Sequence, residues 1–329
     1  MNHRTIAHAC RLAAAALAMA GWAQAAGAQE WPQRQPIHLV LPSAPGGSSD
    51  PLGRLLAEEI GKRIGQSIVV VNRPGAGGNL GMAQVARARP DGYTLVMSWT
   101  GPLATNLALY KDVGYDPQKD FSPIGRIGCT PNVLAVTKAT PAGNLKEFID
   151  FAAANPGKVS YGTTGVGSSW HIAGEMLSRQ AANSLTHIPY NSPGAAMADL
   201  VGGRLQAIFP VVPMTVPHVR SGEMKVLAVF SRQRSPVLPE VPTTVEQGHA
   251  DLVSDTCFML LAPRGVPEAA LTTLNRSLNA VLGDAALKPK IEAMGIGVQP
   301  GPARAVSEYL ATEIPRQAAL VKASGAGPQ

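Results

Sequence analysis

Two stretches rich in glycine and hydroxyls carry the chemistry most visible in this chain. Pro-Ser-Ala-Pro-Gly-Gly-Ser-Ser-Asp at 42–50 follows an apolar run at 37–41, and Gly-Thr-Thr-Gly-Val-Gly-Ser-Ser at 162–169 follows Val-Ser-Tyr at 159–161. Glycine lets backbone amides approach a ligand closely, and a helix starting just beyond such a loop offers unpaired N–H groups at the positive end of its dipole. That combination holds anions. Two such loops, more than a hundred residues apart, predict a carboxylate gripped from two sides. In the first loop the candidate contacts are Ser43, Ala44, Gly46, Gly47 and Ser48, through amides and hydroxyls. In the second they are Thr163, Thr164, Gly165, Gly167, Ser168 and Ser169.

Other candidates admit two readings. Asp50 precedes Pro51, the pattern of a helix cap followed by proline at the first helical position, and Asp50 is also close enough to join the first loop's ligand contacts. A third glycine-rich loop, Asn72-Arg-Pro-Gly-Ala-Gly-Gly78, ends on Asn79; Arg73 there fits a distal carboxylate or a structural salt bridge equally well. Tyr190 and Asn191 end a predicted strand, so they face a cleft or, for the tyrosine, the core with its hydroxyl bonded. His171 is expected to bond a neighbouring loop. His38, His187, His218 and His249 have no metal-ligand spacing, and no metal or cofactor is expected.

The same loops exclude other chemistry. Leu80 and Trp170 stand where a dinucleotide fingerprint needs its last glycine. Pro51 and His171 stand where a nucleophile elbow around Ser49 or Ser169 needs its closing glycine, so the chain is not expected to be an enzyme; a secreted serine hydrolase is the rival it displaces.

The elements that must position these loops alternate. Strand-like runs at 37–41, 68–71 and 94–97 are separated by helical patterns at 52–64 and 80–88, the rhythm of a parallel sheet covered on both faces. A second series has strands at 133–136, 159–161, 185–188, 206–209 and 225–230, with helices at 145–154, 170–181, 194–201 and 213–221. A run at 258–262 and helices at 268–282, 287–294 and 303–323 follow, a strandless tail expected to pack on the first sheet. The chain would then cross between lobes near 122–127 and 253–258. Lobe 1 is 29–126 plus 255–329, and lobe 2 is 127–254. Ligands bind in the cleft between such units and at the carboxyl ends of parallel strands.

Length supports two lobes, since 329 residues exceed what one core usually serves. Residues 1–28 read as a signal peptide: Arg4 and Arg11, a short apolar stretch at 12–20, then Ala-Gly-Ala at 26–28. Its removal takes the net charge from +6 to +4, a mild value with no basic cluster, so nucleic acid is not an expected partner. Aromatic residues are 5% of the chain, which disfavours a sugar stacked on rings. Cys129 and Cys257 remain after Cys10 is removed, either as buried thiols, the reading favoured here, or as one bridge.

Several motifs occur in order: Pro-Gly-Gly-Ser-Ser-Asp at 45–50, Val-Asn-Arg-Pro-Gly-Ala-Gly-Gly at 71–78, Pro-Asp-Gly-Tyr-Thr-Leu at 90–95, Tyr-Gly-Thr-Thr-Gly-Val-Gly at 161–167 with His171, His-Ile-Pro-Tyr at 187–190, Leu-Ala-Val at 227–229 and Leu-Pro-Glu-Val-Pro-Thr at 238–243. Together they resemble the substrate-binding receptors of tripartite tricarboxylate transporters, the Bug family of periplasmic solute-binding proteins. The resemblance implies an α/β fold of the two-lobed type II periplasmic binding-protein kind, with two doubly wound mixed sheets joined by two crossover segments. It also implies a monomeric periplasmic receptor that closes on a small organic acid and delivers it to membrane permease subunits. A sensor presenting the solute to a membrane signalling protein is the alternative role. Where the family often carries a bulky apolar residue this chain has Ser43, and where it often carries tryptophan the chain has Asp255-Thr-Cys257. Gln206 stands in place of a common aspartate.

Overall fold

The computed structural model describes residues 31–46, 49–166, 168–190 and 192–324. The expected signal segment and the candidate contacts Gly47, Ser48, Gly167 and Asn191 lie outside the described residues. Among the described residues no helix is long and apolar enough to cross a membrane.

The first sheet is built on β1 (Ile37–Leu41), whose β-branched and leucine side chains are buried almost throughout, as a central parallel strand requires. It pairs in parallel with β2 (Ile68–Asn72) and β3 (Thr94–Trp99). β10 (Asp255–Pro263) then runs antiparallel to β3 and to β4 (Phe121–Pro131), and a two-residue strand, β11 (Gly297–Val298), closes the edge against β4. The order is β11-β4-β10-β3-β1-β2. Helices cover both faces. The Ser49–Ile64 and Glu268–Leu282 helices bury Leu52, Leu56, Leu274 and Leu278 on one, and the Asn79–Ala86 and Arg304–Ala323 helices bury Met82, Val85, Val306 and Leu310 on the other.

The second sheet has the order β7-β6-β8-β5-β9, from β5 (Val133–Thr137), β6 (Val159–Thr163), β7 (Leu185–Pro189), β8 (Ala207–Ile208) and β9 (Met224–Val229). β6 is parallel to β7 and β8, and β5 is antiparallel to β8 and β9. Its three longer helices begin on side-chain caps. Asn144 accepts the Glu147 N–H at 2.9 Å, and Ser192, followed by Pro193, accepts that of Ala195 at 3.3 Å. The fold is therefore α/β, with two mixed sheets.

The expected connections differ in three places. β4 occupies the stretch read as the first crossover, so the chain leaves the first sheet at Pro131 and enters the second at Val133, with Asn132 between. The return falls within the stretch read as the second crossover, at Ser254 just before β10. The C-terminal tail supplies a strand, β11, and its last helix does not stay on the first sheet alone: Val321 and Leu320 pack into the second core. Cys129 and Cys257 are also corrected. They stand directly opposite each other in the β4–β10 ladder and form a disulfide, a pairing that depends on a strand the sequence disguised.

Candidate functional site

A cavity of about 510 Å³ lies where the two sheets face each other. The carboxyl end of β1 contributes Pro42 and Ser43, and that of β3 contributes Trp99, Thr100 and Gly101. From the second sheet, Thr164, Val166, Ser168, Ser169 and Ile172 reach it from the loop after β6 and the helix that follows. Ser254, Asp255 and Thr256 bring in the return crossover, and Gln317 comes from the C-terminal helix.

The first loop is tied down from behind. Asp50 lies in the first turn of the Ser49–Ile64 helix, not before it, and its carboxylate accepts the Gly46 N–H at 3.2 Å. Arg54 at 2.9 Å and Asn72 at 3.0 Å bind the same carboxylate; these bonds, Arg54 first, hold its pKa below the usual carboxylate range. Asn72 also donates to the Ser43 carbonyl at 3.1 Å, and the Ser43 and Ser49 hydroxyls meet at 2.7 Å. Of the described candidates here, Ser43 lines the cavity, whereas Ala44, Gly46 and Asp50 do not.

The second loop is organised by its own hydroxyls. Gly165 has φ of 110°, a left-handed conformation that glycine adopts without strain, and nothing lies within 4 Å of where a Cβ would be. Its N–H donates to Thr163 Oγ1 at 3.2 Å, and its carbonyl accepts the Ser168 hydroxyl at 2.8 Å. Ser168 caps the Ser169–Gln180 helix by accepting the His171 N–H at 3.2 Å, so the amino end of that helix opens on the cavity with Ser169. Thr164, Ser168 and Ser169 line the cavity; Thr163 and Gly165 shape it from behind. Behind them Thr163 meets His187 Nε2 at 2.7 Å, and the His171 and His187 rings lie 4.3 Å apart. Burial pushes both imidazoles down, His171 to about 4 with help from neighbouring His187.

Gly75, Gly77 and Gly78 of the third loop also line the cavity, while Arg73 and Asn79 do not. Asn79 is buried behind them, its Oδ1 accepting Asn106 Nδ2 at 2.7 Å and its own Nδ2 unpartnered. Asn106 also donates to the Gly77 carbonyl at 3.1 Å. Tyr190 turns away from the cavity: its hydroxyl donates to Asp199 at 2.7 Å.

Sequence reasoning missed the helical segment after β3, which contributes Thr105, Asn106, Leu109 and Tyr110 to the cavity. Its signal was available in Trp-Thr-Gly-Pro at 99–102, a strand end followed by glycine and a proline at a helix start. Gln317 had no local signal. It is placed by Thr105, which donates to its Oε1 at 3.0 Å, and by Glu313, which accepts from its Nε2 at 2.7 Å.

Among the described lining residues Asp255 is the one charged side chain, and burial raises its pKa to about 6 against the opposing pull of Arg316. The described residues bring one group of metal-ligand types together, Cys129, Asp255 and Cys257, and the disulfide leaves it no thiolate. What the cavity offers is backbone amide and hydroxyl hydrogen bonding in a cleft between the sheets, with no base paired to a nucleophile among its described lining residues.

The model of the tripartite tricarboxylate transporter family receptor matches residues 52–326. BugT of Bordetella pertussis is 34% identical over 311 residues, 94% of this chain and 95% of BugT. Among solved structures, R. palustris Rpa4515 with adipate superposes with a TM-score of 0.81 at 33% identity, covering 91% of this chain and all of that one. The periplasmic binding protein BugD gives 0.76 at 33%, covering 90% and 99%. MatC from Rhodopseudomonas palustris with bound malate gives 0.74 at 30%, covering 88% and 99%. The chain belongs to the tripartite tricarboxylate transporter receptor family, the Bug-type solute-binding proteins, and is a binding receptor and not an enzyme.

Proposed function

We propose that this protein is a periplasmic receptor that captures a small carboxylate-bearing solute between its two lobes and delivers it, as a monomer, to the membrane permease subunits of a tripartite transporter. The observation that carries the reading is the cavity itself: about 510 Å³, walled by both sheets, lined by glycines, serines and threonines, with no lysine or arginine among its described residues. Amides and hydroxyls of the Ser43 and Thr164–Ser169 loops hold the carboxylate. The adipate and malate carried by two relatives are of the same chemical class. The lobes, one built on the first sheet up to Pro131 and again from Asp255, the other on the second sheet from Val133, close by bending where the strands change sheet, at Asn132 and Ser254.

The test is a thermal-shift screen of C3 to C8 mono- and dicarboxylates on ligand-stripped protein, followed by scattering. A ligand at 100 times its dissociation constant adds about 2.7 kcal/mol of stability, and the radius of gyration should fall on saturation. Loss of uptake of the matched acid on gene deletion supports delivery; loss of ligand-induced transcription with uptake intact would replace delivery by sensing.

A further inference from the structure

The cavity is neutral in its described lining except at one point. Asp255 opens β10 immediately after the return crossover and lines the same cavity as Ser43, Thr164 and Ser169. Its carboxylate accepts no hydrogen bond and makes no ion pair among the described residues; charges reach it only at longer range. Of the three arginines whose charge reaches it, Arg232 is exposed and shares a second, smaller cavity with Asp255, and the other two are committed elsewhere. Arg316 binds Glu313 at 2.7 Å and the Val253 carbonyl, and Arg126 bonds Gln299 and lies 4.9 Å over the Tyr309 ring. A half-buried carboxylate with open acceptor sites gains from any donor that reaches it. A second anionic group brought to this wall would meet repulsion instead.

We propose that Asp255 sets the class of solute: a small carboxylate that also carries a protonated amine, its carboxylate on the two loops and its ammonium on Asp255. Resting on the carboxylate reading above, this makes the solute a zwitterion, unlike the acids bound to the two relatives. The loops supply donors only to the anionic end, and Asp255 supplies the acceptor that an ammonium requires.

Four-, five- and six-carbon acids in matched sets form the probe. For five carbons these are pentanoate, glutarate, norvaline and 5-aminopentanoate, each titrated calorimetrically into ligand-stripped protein. One amino acid should bind at least about tenfold tighter than the nitrogen-free acids, the size of a charge-assisted hydrogen bond. In Asp255→Asn, and independently in Asp255→Ser, that preference should collapse. Acidification from pH 7 to 5 should weaken amino-acid binding in the wild type and not in Asp255→Asn; the charged and titratable neighbours Arg316, Glu313, Arg126, Arg232 and Tyr309 are common to both proteins, so the difference reads Asp255 alone. Glutarate binding as tightly as the tighter of the two amino acids would overturn the proposal while keeping the carboxylate reading. Binding by none of the acids would overturn both. The wild-type comparison decides even if a variant fails to fold.

Discussion

Asn132 is the residue on which the crossover between sheets depends, and Asn132→Ala tests that directly. The residue is fully buried. Its N–H donates to the Ser254 carbonyl at 2.9 Å and its carbonyl accepts from Phe230 at 2.8 Å, bonds that alanine keeps. Its side chain donates to the Phe209 carbonyl at 2.6 Å and accepts the Ser254 hydroxyl at 3.2 Å, with a weaker 3.4 Å contact to Ser169, and alanine loses all three. Two buried polar groups are left without this partner, at about 1 to 3 kcal/mol each, so the variant should be destabilised by about 2 to 6 kcal/mol. That corresponds to a melting temperature lower by roughly 10 °C. Ser254→Ala removes one of the same bonds and should cost about 1 kcal/mol, and the pair should couple by at least about 0.5 kcal/mol in a double-mutant cycle. Calorimetric melting of the four proteins gives each number. A loss below about 0.5 kcal/mol for Asn132→Ala, or an additive cycle, would refute the view that these two residues fasten the crossover.

Other expectations follow from the same geometry. Gly165→Val places a β-branched residue at φ of 110°, a strain of about 1 to 3 kcal/mol that should displace the Ser168 cap and abolish carboxylate binding in a protein still folded by circular dichroism. Arg73→Gln, at an exposed residue outside the cavity, should stay within about 0.5 kcal/mol in stability and bind normally. Double replacement of Cys129 and Cys257 by serine opens a loop of 128 residues and should cost up to about 5 kcal/mol by chemical denaturation. Between pH 7 and 5 the imidazoles of His171 and His187 act against Asp255. His171, depressed to about 4, is kept neutral by the fold while the unfolded chain takes up a proton, so stability falls by about 2 kcal/mol. Asp255, raised to about 6, takes up its proton in the folded state first and returns about 1 kcal/mol. Asp255→Asn should therefore lose more stability on acidification than the wild type, and an equal or smaller loss would contradict this balance.

Much of the fold was legible because burial on both faces leaves a plain mark. β1 and the Leu145–Ala154 and Glu268–Leu282 helices stand where their apolar periods put them. β4 was not legible. Pro123, Gly125 and Gly128 break its pattern, two register shifts against β10 break its alternation, and Gly128 has no room for a Cβ against the Gly297 carbonyl. That one omission moved the expected crossover and hid the disulfide, since Cys129 meets Cys257 only across the missing strand. At the site, hydroxyl and glycine content revealed the loops but not which residues face inward. Asp50 and Thr163 carry the right chemistry and spend it holding the loops in shape, while Gln317 arrives from a helix nearly at the other end of the chain. Such convergence is tertiary and leaves no local trace.

The measurement that bears most directly on the central claim is a crystal structure of the protein with the acid that gives the largest thermal shift. The carboxylate should lie between the Ser43 loop and the amino end of the Ser169–Gln180 helix, bonded to amides and hydroxyls of both, with no arginine or lysine within hydrogen-bonding distance. A carboxylate paired with Arg73, or seated outside this cavity, would contradict the account.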